Sequence, residues 1–287
     1  MKIAIITGGE TEERNISIKS AENIKKLIDF TENETFVFPE EKERFLDSYK
    51  DFDIVFPIIH GVGGEDGSLQ KWLDELNVRY IFSGPEPHAI GINKKLSKKL
   101  AESIGVKVAT ETKNLPLFAK PNTGGSSVAS GVCNSKEDLE RLLEENPNTE
   151  FILEELISGR EFTVGIIDHA KKTFPLPVIE IIPKGEFFDF ENKYDPKNLA
   201  SEICPADIDT ELANQLRDTA LKIHKEIGAR HISRSDFIVT SQNEIYFLEI
   251  NTIPGMTETS LVPKMLNQIN ISLRGLLKEW IKQCTSR

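Results

Sequence analysis

Arg234, Asp236, Glu249 and Asn251 are the residues of this 287-residue chain whose types and spacing are best suited to chemistry. They lie in the stretch R-S-D-F-I-V-T-S-Q-N-E-I-Y-F-L-E-I-N-T-I-P-G-M-T-E-T-S, which runs from Arg234 to Ser260. Two hydrophobic runs, Phe237 to Thr240 and Ile245 to Ile250, flank the polar turn Ser241-Gln242-Asn243-Glu244. That pattern predicts a hairpin. Alternate residues of a strand face the same way, so Glu249 and Asn251 project together, with Asp236 opening the partner strand across from them. Two carboxylates and an amide oxygen beside a guanidinium form a hard oxygen site, of the kind that holds Mg2+ together with substrate phosphates. The ordinary alternative is a strand with polar residues at solvated ends. The unusual loop Pro254-Gly255-Met256-Thr257 that follows tilts the reading toward a site.

Three further stretches carry candidate chemistry. His60-Gly61-Val62-Gly63-Gly64-Glu65-Asp66-Gly67 gathers an imidazole, two carboxylates and four glycines behind the apolar run Ile54 to Ile59. Glycines let a backbone approach a ligand closely, whereas Glu65 and Asp66 could simply favour the start of a following helix. Lys120 ends an apolar run and leads into Pro121-Asn122-Thr123-Gly124-Gly125-Ser126-Ser127. A point charge beside backbone N–H groups and hydroxyls can cradle phosphate, and the competing reading is a flexible hairpin turn. The Walker pattern G-x-x-x-x-G-K is absent. Lys94 opens an amphipathic segment with Lys95, Lys98 and Lys99. Such a group is usually a solvated face, but a lysine at a helix start can reach an anion held there.

The elements that must position these residues divide into three units. Residues 1–84 read as strand, loop and helix in repetition, hence an α/β unit with a small parallel sheet. Its strands fall at Ile3 to Ile6, Phe36 to Phe38 and Ile54 to Ile59. Its helices carry Ile16, Ala21, Ile24, Leu27 and Ile28, then Leu69, Trp72, Leu73 and Leu76 from about Ser68. Pro85 and Pro87 interrupt the chain and mark a boundary. Residues 85–157 form a mixed α+β unit, with strands at Leu115 to Ala119, Val128 to Val132 and Phe151 to Ile157. Ser135 to Asp138 reads as a capping box opening a helix. Residues 158–287 form a second α+β unit with strands Phe162 to Ile167 and Val178 to Ile182, a helix through Leu212, Leu216, Ala220 and Ile223, the hairpin, and a closing helix through Leu273, Leu276, Leu277 and Trp280. Gly185 to Ala206 is long and polar without clear periodicity. Its aromatics Phe187, Phe188, Phe190 and Tyr194 argue against disorder and for a functional lid.

Composition excludes several classes. Net charge is -11 with a pI near 5.1, and no basic stripe stands out, which argues against a nucleic-acid partner. The apolar run at Ile3 to Ile6 is too short for a signal segment or a membrane span, and no other uncharged run approaches that length. Cys133, Cys204 and Cys284 are isolated and form neither a metal pattern nor a disulfide framework, so a reducing cytoplasm is the simplest setting.

Four separated motifs carry a resemblance over almost the whole chain. They are H-G-V-G-G-E-D-G-S-L-Q from His60, K-P-N-T-G-G-S-S from Lys120, S-G-R-E-F-T-V from Ser158, and L-E-I-N-T-I-P-G-M-T from Leu248, the last continuing to S-L-V-P at Ser260. The chain resembles the ATP-grasp ligases, and among them the D-alanine–D-alanine ligase family. The resemblance implies an ATP-grasp fold with an N-terminal parallel-sheet domain, and ATP held between the central and C-terminal units. It places Lys94, Lys120, Ser126 and Ser127 at the phosphates, Glu154, Glu155 and Ile157 at the adenine, and Glu161 at the ribose. It gives Asp236, Glu249 and Asn251 two Mg2+ ions, with Mn2+ as a possible substitute. Glu13, in E-R-N-I-S, takes the ammonium of the first D-alanine with His60 nearby, and Ser260 holds the carboxylate of the second. Arg234 and the Gly255 N–H stabilise the oxyanion. Lys193 and Tyr194 sit on the lid, with Tyr194, Ser126 and Glu13 linking lid, loop and substrate. The implied product is D-alanyl-D-alanine for peptidoglycan precursors, made by a homodimer. Glu155 and Leu156 stand where the family has Lys and an aromatic, and Ser235 occupies an apolar position. Ile81-Phe82 replaces Thr-Gly, and Asn93 replaces Asp. These departures keep two alternatives in view: an ATP-grasp ligase for another amino acid pair, and a nucleotide-binding module without catalysis.

Overall fold

The computed structural model describes residues 1–124, 129–183 and 200–285. In the N-terminal part, β1 (Lys2–Gly8) is the middle strand of a parallel sheet, between β2 (Glu32–Phe38) and β3 (Ile54–Ile58). Ile3 to Ile6 are fully buried, as a run apolar on both faces requires. Helix α1 (Arg14–Leu27) follows the first strand and packs Ala21 and Ile24 onto the sheet. Helix α2 (Lys42–Ser48) has no counterpart in the expectations, because its one buried residue is Phe45. That ring packs edge-on against Phe36 and Phe38. Helix α3 (Ser68–Glu75) begins where its apolar spacing placed it.

Pro85 and Pro87 do not interrupt the chain; they open helix α4 (Pro85–Ile92). Proline suits the first helical turn because the N–H it lacks has no partner there anyway. Asn93 then caps α5 (Lys94–Ser103), its side chain accepting from the Leu96 N–H. Both helices pack against the hairpin strand β13 (Ile245–Asn251), and the short β4 (Lys107–Val108) pairs parallel with that same strand. The sheet expected between 115 and 157 is antiparallel, in the order β6 (Gly131–Cys133), β5 (Leu117–Pro121), β7 (Phe151–Glu155). Strand β5 starts two residues later than expected, after a cis Leu115–Pro116 bond. Helix α6 (Lys136–Glu145) begins with the predicted capping box, Ser135 and Asp138 bonding reciprocally.

The largest sheet contains β8 (Arg160–His169), β9 (Lys172–Pro175), β10 (Ile179–Ile182), β11 (Ser201–Ile203), β12 (Ile232–Val239) and the hairpin strand β13, with β4 at its edge. Part of the expected lid therefore becomes a strand, β11, while 184–199 lies outside the described residues. Helix α7 (Thr210–Glu226) covers one face of this sheet, burying Leu212, Leu216, Ala220 and Ile223. Helices α8 (Leu261–Gln268) and α9 (Leu273–Thr285) close the chain, the first of them not foreseen. One core unites Ile3, Ile5 and Phe56 of the N-terminal sheet with Ile167, Met256 and Trp280. The N-terminal loops are thereby held against the end of the hairpin.

Candidate functional site

The hairpin forms one wall of a cavity of about 700 Å3. Strand β12 begins at Ile232, earlier than its apolar run suggested, so Asp236 lies inside the strand and does not open it. The alternation was masked because Ser233 and Ser235 occupy buried positions. Asp236 pairs with Glu249 and Arg234 with Asn251 across the hairpin, next to a register shift after Asp236. Such irregularities re-aim side chains locally. Arg234 grips Asp236 with two hydrogen bonds, Nε to Oδ1 and NH2 to Oδ2, both 3.0 Å. Thr163 on β8 donates to the same carboxylate at 2.5 Å, and the Asn251 amide donates to it at 3.4 Å. Glu249 is 3.2 Å from the Lys94 ammonium, which also donates to the Gly124 carbonyl at 2.7 Å. The two carboxylates thus each meet a cation, while the Asn251 amide oxygen remains available as a hard donor.

The central sheet makes the opposite wall. Lys120 lies 3.1 Å from Glu154, and Lys98 donates to the other oxygen of that carboxylate. All three residues are buried. Burial, and then the neighbouring Lys120, push the Lys98 ammonium down to about 7. Lys98 was read as part of a solvated lysine face; α5 instead turns it inward, one helical turn after Lys94. Glu155, Ile157 and Glu161 line the same cavity. The Glu155 carboxylate is engaged by the Thr110 N–H at 2.9 Å, which lowers its pKa. That contact explains how a glutamate is tolerated where the resemblance expects a lysine. Ser235 is fully buried, and its hydroxyl finds no partner among the described residues.

The third wall comes from the N-terminal loops and the turn after the hairpin. Glu13 precedes α1 and lines the cavity beside His60 and Glu65. Ser17 holds the His60 backbone N–H at 2.9 Å, and the His60 Nε2 sits 3.1 Å from the Ser20 hydroxyl. Burial keeps this imidazole neutral, its pKa down to about 4. Glu65 does not serve a helix start: its carboxylate accepts the Gly61 and Ile253 N–H groups at 2.9 and 3.0 Å, tying the loop to the hairpin exit. Burial, and next the charge of Glu13, raise it to about 8. Asp66 takes the helix role, accepting from the Ser68 N–H at 2.9 Å. Gly255 and Ser260 face each other closely, since a Cβ on Gly255 would come within 2.9 Å of the Ser260 hydroxyl. Thr257 bonds that hydroxyl through its own N–H at 3.1 Å and hydroxyl at 2.7 Å.

The structure therefore gathers Glu13, His60, Lys94, Lys120, Glu154, Glu155, Ile157, Glu161, Arg234, Asp236, Glu249, Asn251, Gly255 and Ser260 around one cavity. Ser126, Ser127, Lys193 and Tyr194 lie outside the described residues. Lys98 and Glu65 are the residues that reading the chain missed or misplaced. Among the described residues, no three His, Cys, Asp or Glu side chains converge as a metal cluster. Two carboxylates and one amide on neighbouring strands fit a hard cation that completes its shell with water and phosphate oxygens.

Comparison with known proteins agrees with this geometry. The family described as D-ala D-ala ligase C-terminus matches residues 86–282. A D-alanine–D-alanine ligase of Thermotoga petrophila is 36% identical over 98% of this chain and 97% of its own length. The crystal structure of a D-alanine–D-alanine ligase from Bacillus anthracis superposes with a TM-score of 0.85 at 30% identity, covering 100% of this chain and 98% of that one. The same ligase complexed with ATP matches with a TM-score of 0.83 at 28% identity, over 100% and 98% of the two chains. The chain has the ATP-grasp fold and belongs to the D-alanine–D-alanine ligase family.

Proposed function

We propose that this protein joins two D-alanine molecules into D-alanyl-D-alanine at the expense of ATP, releasing ADP and phosphate, and so supplies peptidoglycan precursor synthesis. The observation that carries this reading is the meeting of Lys120, the Lys94–Glu249 pair, the Arg234–Asp236 pair, Glu13 and the Gly255–Ser260 turn in one cavity. Phosphate, metal and substrate groups are supplied from distant parts of the chain and meet nowhere else among the described residues.

In this reading Lys94 and Lys120 hold the nucleotide phosphates, with Ser126, Ser127 and Lys193 contributing from the flanking segments. Glu154, Glu155 and the Ile157 backbone border the purine, and Glu161 holds the ribose. Asp236, Glu249 and Asn251 would hold two Mg2+ ions, or Mn2+ in their place. Bound cations neutralise charge on the transferring phosphoryl group. Glu13 fixes the ammonium of the first D-alanine with His60 behind it, so that its carboxylate points at the γ-phosphate. A carboxylate oxygen bonds to that phosphorus as the bond to ADP breaks. The amine of the second D-alanine, its carboxylate on Ser260, then attacks the acyl carbon. The developing oxyanion is met by the Gly255 N–H and by Arg234, which passes to it from Asp236. Phosphate departs with the bonding electrons and carries away the proton that the attacking amine gives up. Tyr194 with Ser126 and Glu13 would link the lid to the substrate and exclude water from the acyl phosphate.

Two further parts of the proposal concern the whole molecule. The chain works as three units, 1–84, 85–157 and 158–287, with α4 and α5 fastening the central unit to the C-terminal sheet. The family resemblance implies that it acts in the cytoplasm as a homodimer. No helix among the described residues is long and apolar enough to cross a membrane. A different amino acid pair is not favoured, because Glu155 is accounted for by its bond to the Thr110 N–H and Ser235 is buried away from the cavity lining. A non-catalytic module is disfavoured by the retained Lys120, Arg234, Asp236, Glu249 and Asn251. The test is incubation with Mg-ATP and equimolar D-alanine and D-lactate at neutral pH, with products identified by mass. D-alanyl-D-alanine should dominate; a depsipeptide or no condensation product would refute the proposal.

A further inference from the structure

Lys98 reaches no part of the cavity, yet it is bonded to a residue that does. Lys98, Glu154 and Lys120 bring two ammoniums onto one carboxylate, with relative exposures of 5%, 3% and 7%. Lys98 takes one oxygen of Glu154 and Lys120 takes the other. Of these three residues, Glu154 and Lys120 line the cavity and Lys98 does not, so Lys98 stands behind them on α5.

A buried group with a surplus cation is unfavourable on its own, because like charges repel and neither is well hydrated. The surplus is visible in Lys98, whose ammonium is pushed down to about 7 by burial and by Lys120. An anion entering the cavity removes the conflict. Lys120 can turn from Glu154 to the anion, and the carboxylate it leaves stays compensated. Without Lys98, the same movement would strip a buried carboxylate of its cation, and that is costly.

Resting on the nucleotide reading above, we infer that Lys98 is a positioning residue: it holds Glu154 as a standing counterion so that Lys120 can be released to the nucleotide phosphates. Lys98 touches neither substrate. It sets how cheaply Lys120 changes partner, and it keeps the Glu154 carboxylate fixed at the purine end of the cavity.

The inference makes an unusual pair of demands on Lys98→Met. Removing the surplus charge leaves a neutral Lys120–Glu154 pair, so the melting temperature without nucleotide should equal or exceed that of the wild type. ADP affinity, measured by calorimetry, should nevertheless fall about tenfold or more, the worth of one charge-assisted hydrogen bond. The KM for ATP should rise in step while the KM for D-alanine is unchanged. Lys98→Arg should recover part of the affinity. Combined with Glu154→Gln, Lys98→Met should cost less than the product of the two single effects, since the counterion has nothing left to balance. If Lys98→Met folds poorly, Lys98→Gln carries the same expectations. ADP binding at wild-type affinity, multiplicative single effects, or an equal rise in both KM values would each overturn the inference. Wild-type protein that binds no ADP would overturn the nucleotide reading itself, whereas wild type that binds ADP as tightly as Lys98→Met overturns this inference alone.

Discussion

The hairpin wall and the N-terminal wall of the cavity handle buried ionisable groups in opposite ways. On the hairpin side each carboxylate is matched by a cation: Asp236 by Arg234, Glu249 by Lys94. On the N-terminal side burial holds His60 and Glu65 in their neutral forms, the first down to about 4 and the second up to about 8. The difference follows from what each wall must do. Matched pairs can exchange partners, a carboxylate passing to a cation and a lysine or arginine to a phosphate or oxyanion. Neutral groups bonded to backbone N–H, as Glu65 is to Gly61 and Ile253, fix the shape of a pocket without adding field to it.

The comparison breaks most severely at Arg234. With the proposed oxyanion role, Arg234→Met should lower kcat by about 100- to 1,000-fold, the usual effect of deleting such a donor. Loss of the bidentate bond to Asp236 should cost about 1–3 kcal/mol of stability. Steady-state kinetics and urea denaturation read the two effects separately. Glu249→Gln should reduce turnover by ~10- to 100-fold and raise the Mg2+ concentration needed for half-maximal rate. Unchanged turnover with unchanged Mg2+ dependence would remove Glu249 from the proposed metal site.

The neutral side is sharpened by pH. His60, His88 and His224 are all depressed by burial, to about 4, 3 and 4. Between those values and the ordinary 6.5, the unfolded chain binds more protons than the folded one, so acidification favours unfolding. Glu65 opposes this, because its raised pKa keeps it protonated in the folded state. Three imidazoles outweigh one carboxyl, and stability should drop by roughly 2 kcal/mol or more from pH 6.5 to 5. Urea midpoints across that range check it. The smallest effect belongs to Glu155→Gln. Its carboxylate serves the Thr110 N–H, so ATP affinity by calorimetry should change less than about threefold.

The same contrast separates what was legible in the chain from what was not. The hairpin could be read because its apolar runs, polar turn and following loop are local signals. Even there, Ser233 and Ser235 in buried positions hid the true start of β12. The loop at His60 was recognisable as a candidate, but Glu65 and Asp66 could not be told apart by type. Only the fold shows Ile253 reaching the first and Ser68 the second. Lys98 was invisible for a deeper reason. Amphipathic spacing assigns lysines to solvent, and its burial depends on a partner far along the chain, Glu154 of β7. Helix α4 escaped notice because proline is a breaker inside a helix and a starter at its first turn.

The central claim is that the matched charges of this cavity serve D-alanine ligation. The most direct measurement is the rate of phosphate release from Mg-ATP with D-alanine, with L-alanine and with no amino acid. D-alanine alone should stimulate release, with one dipeptide formed per phosphate. Equal release in all three reactions would contradict the account.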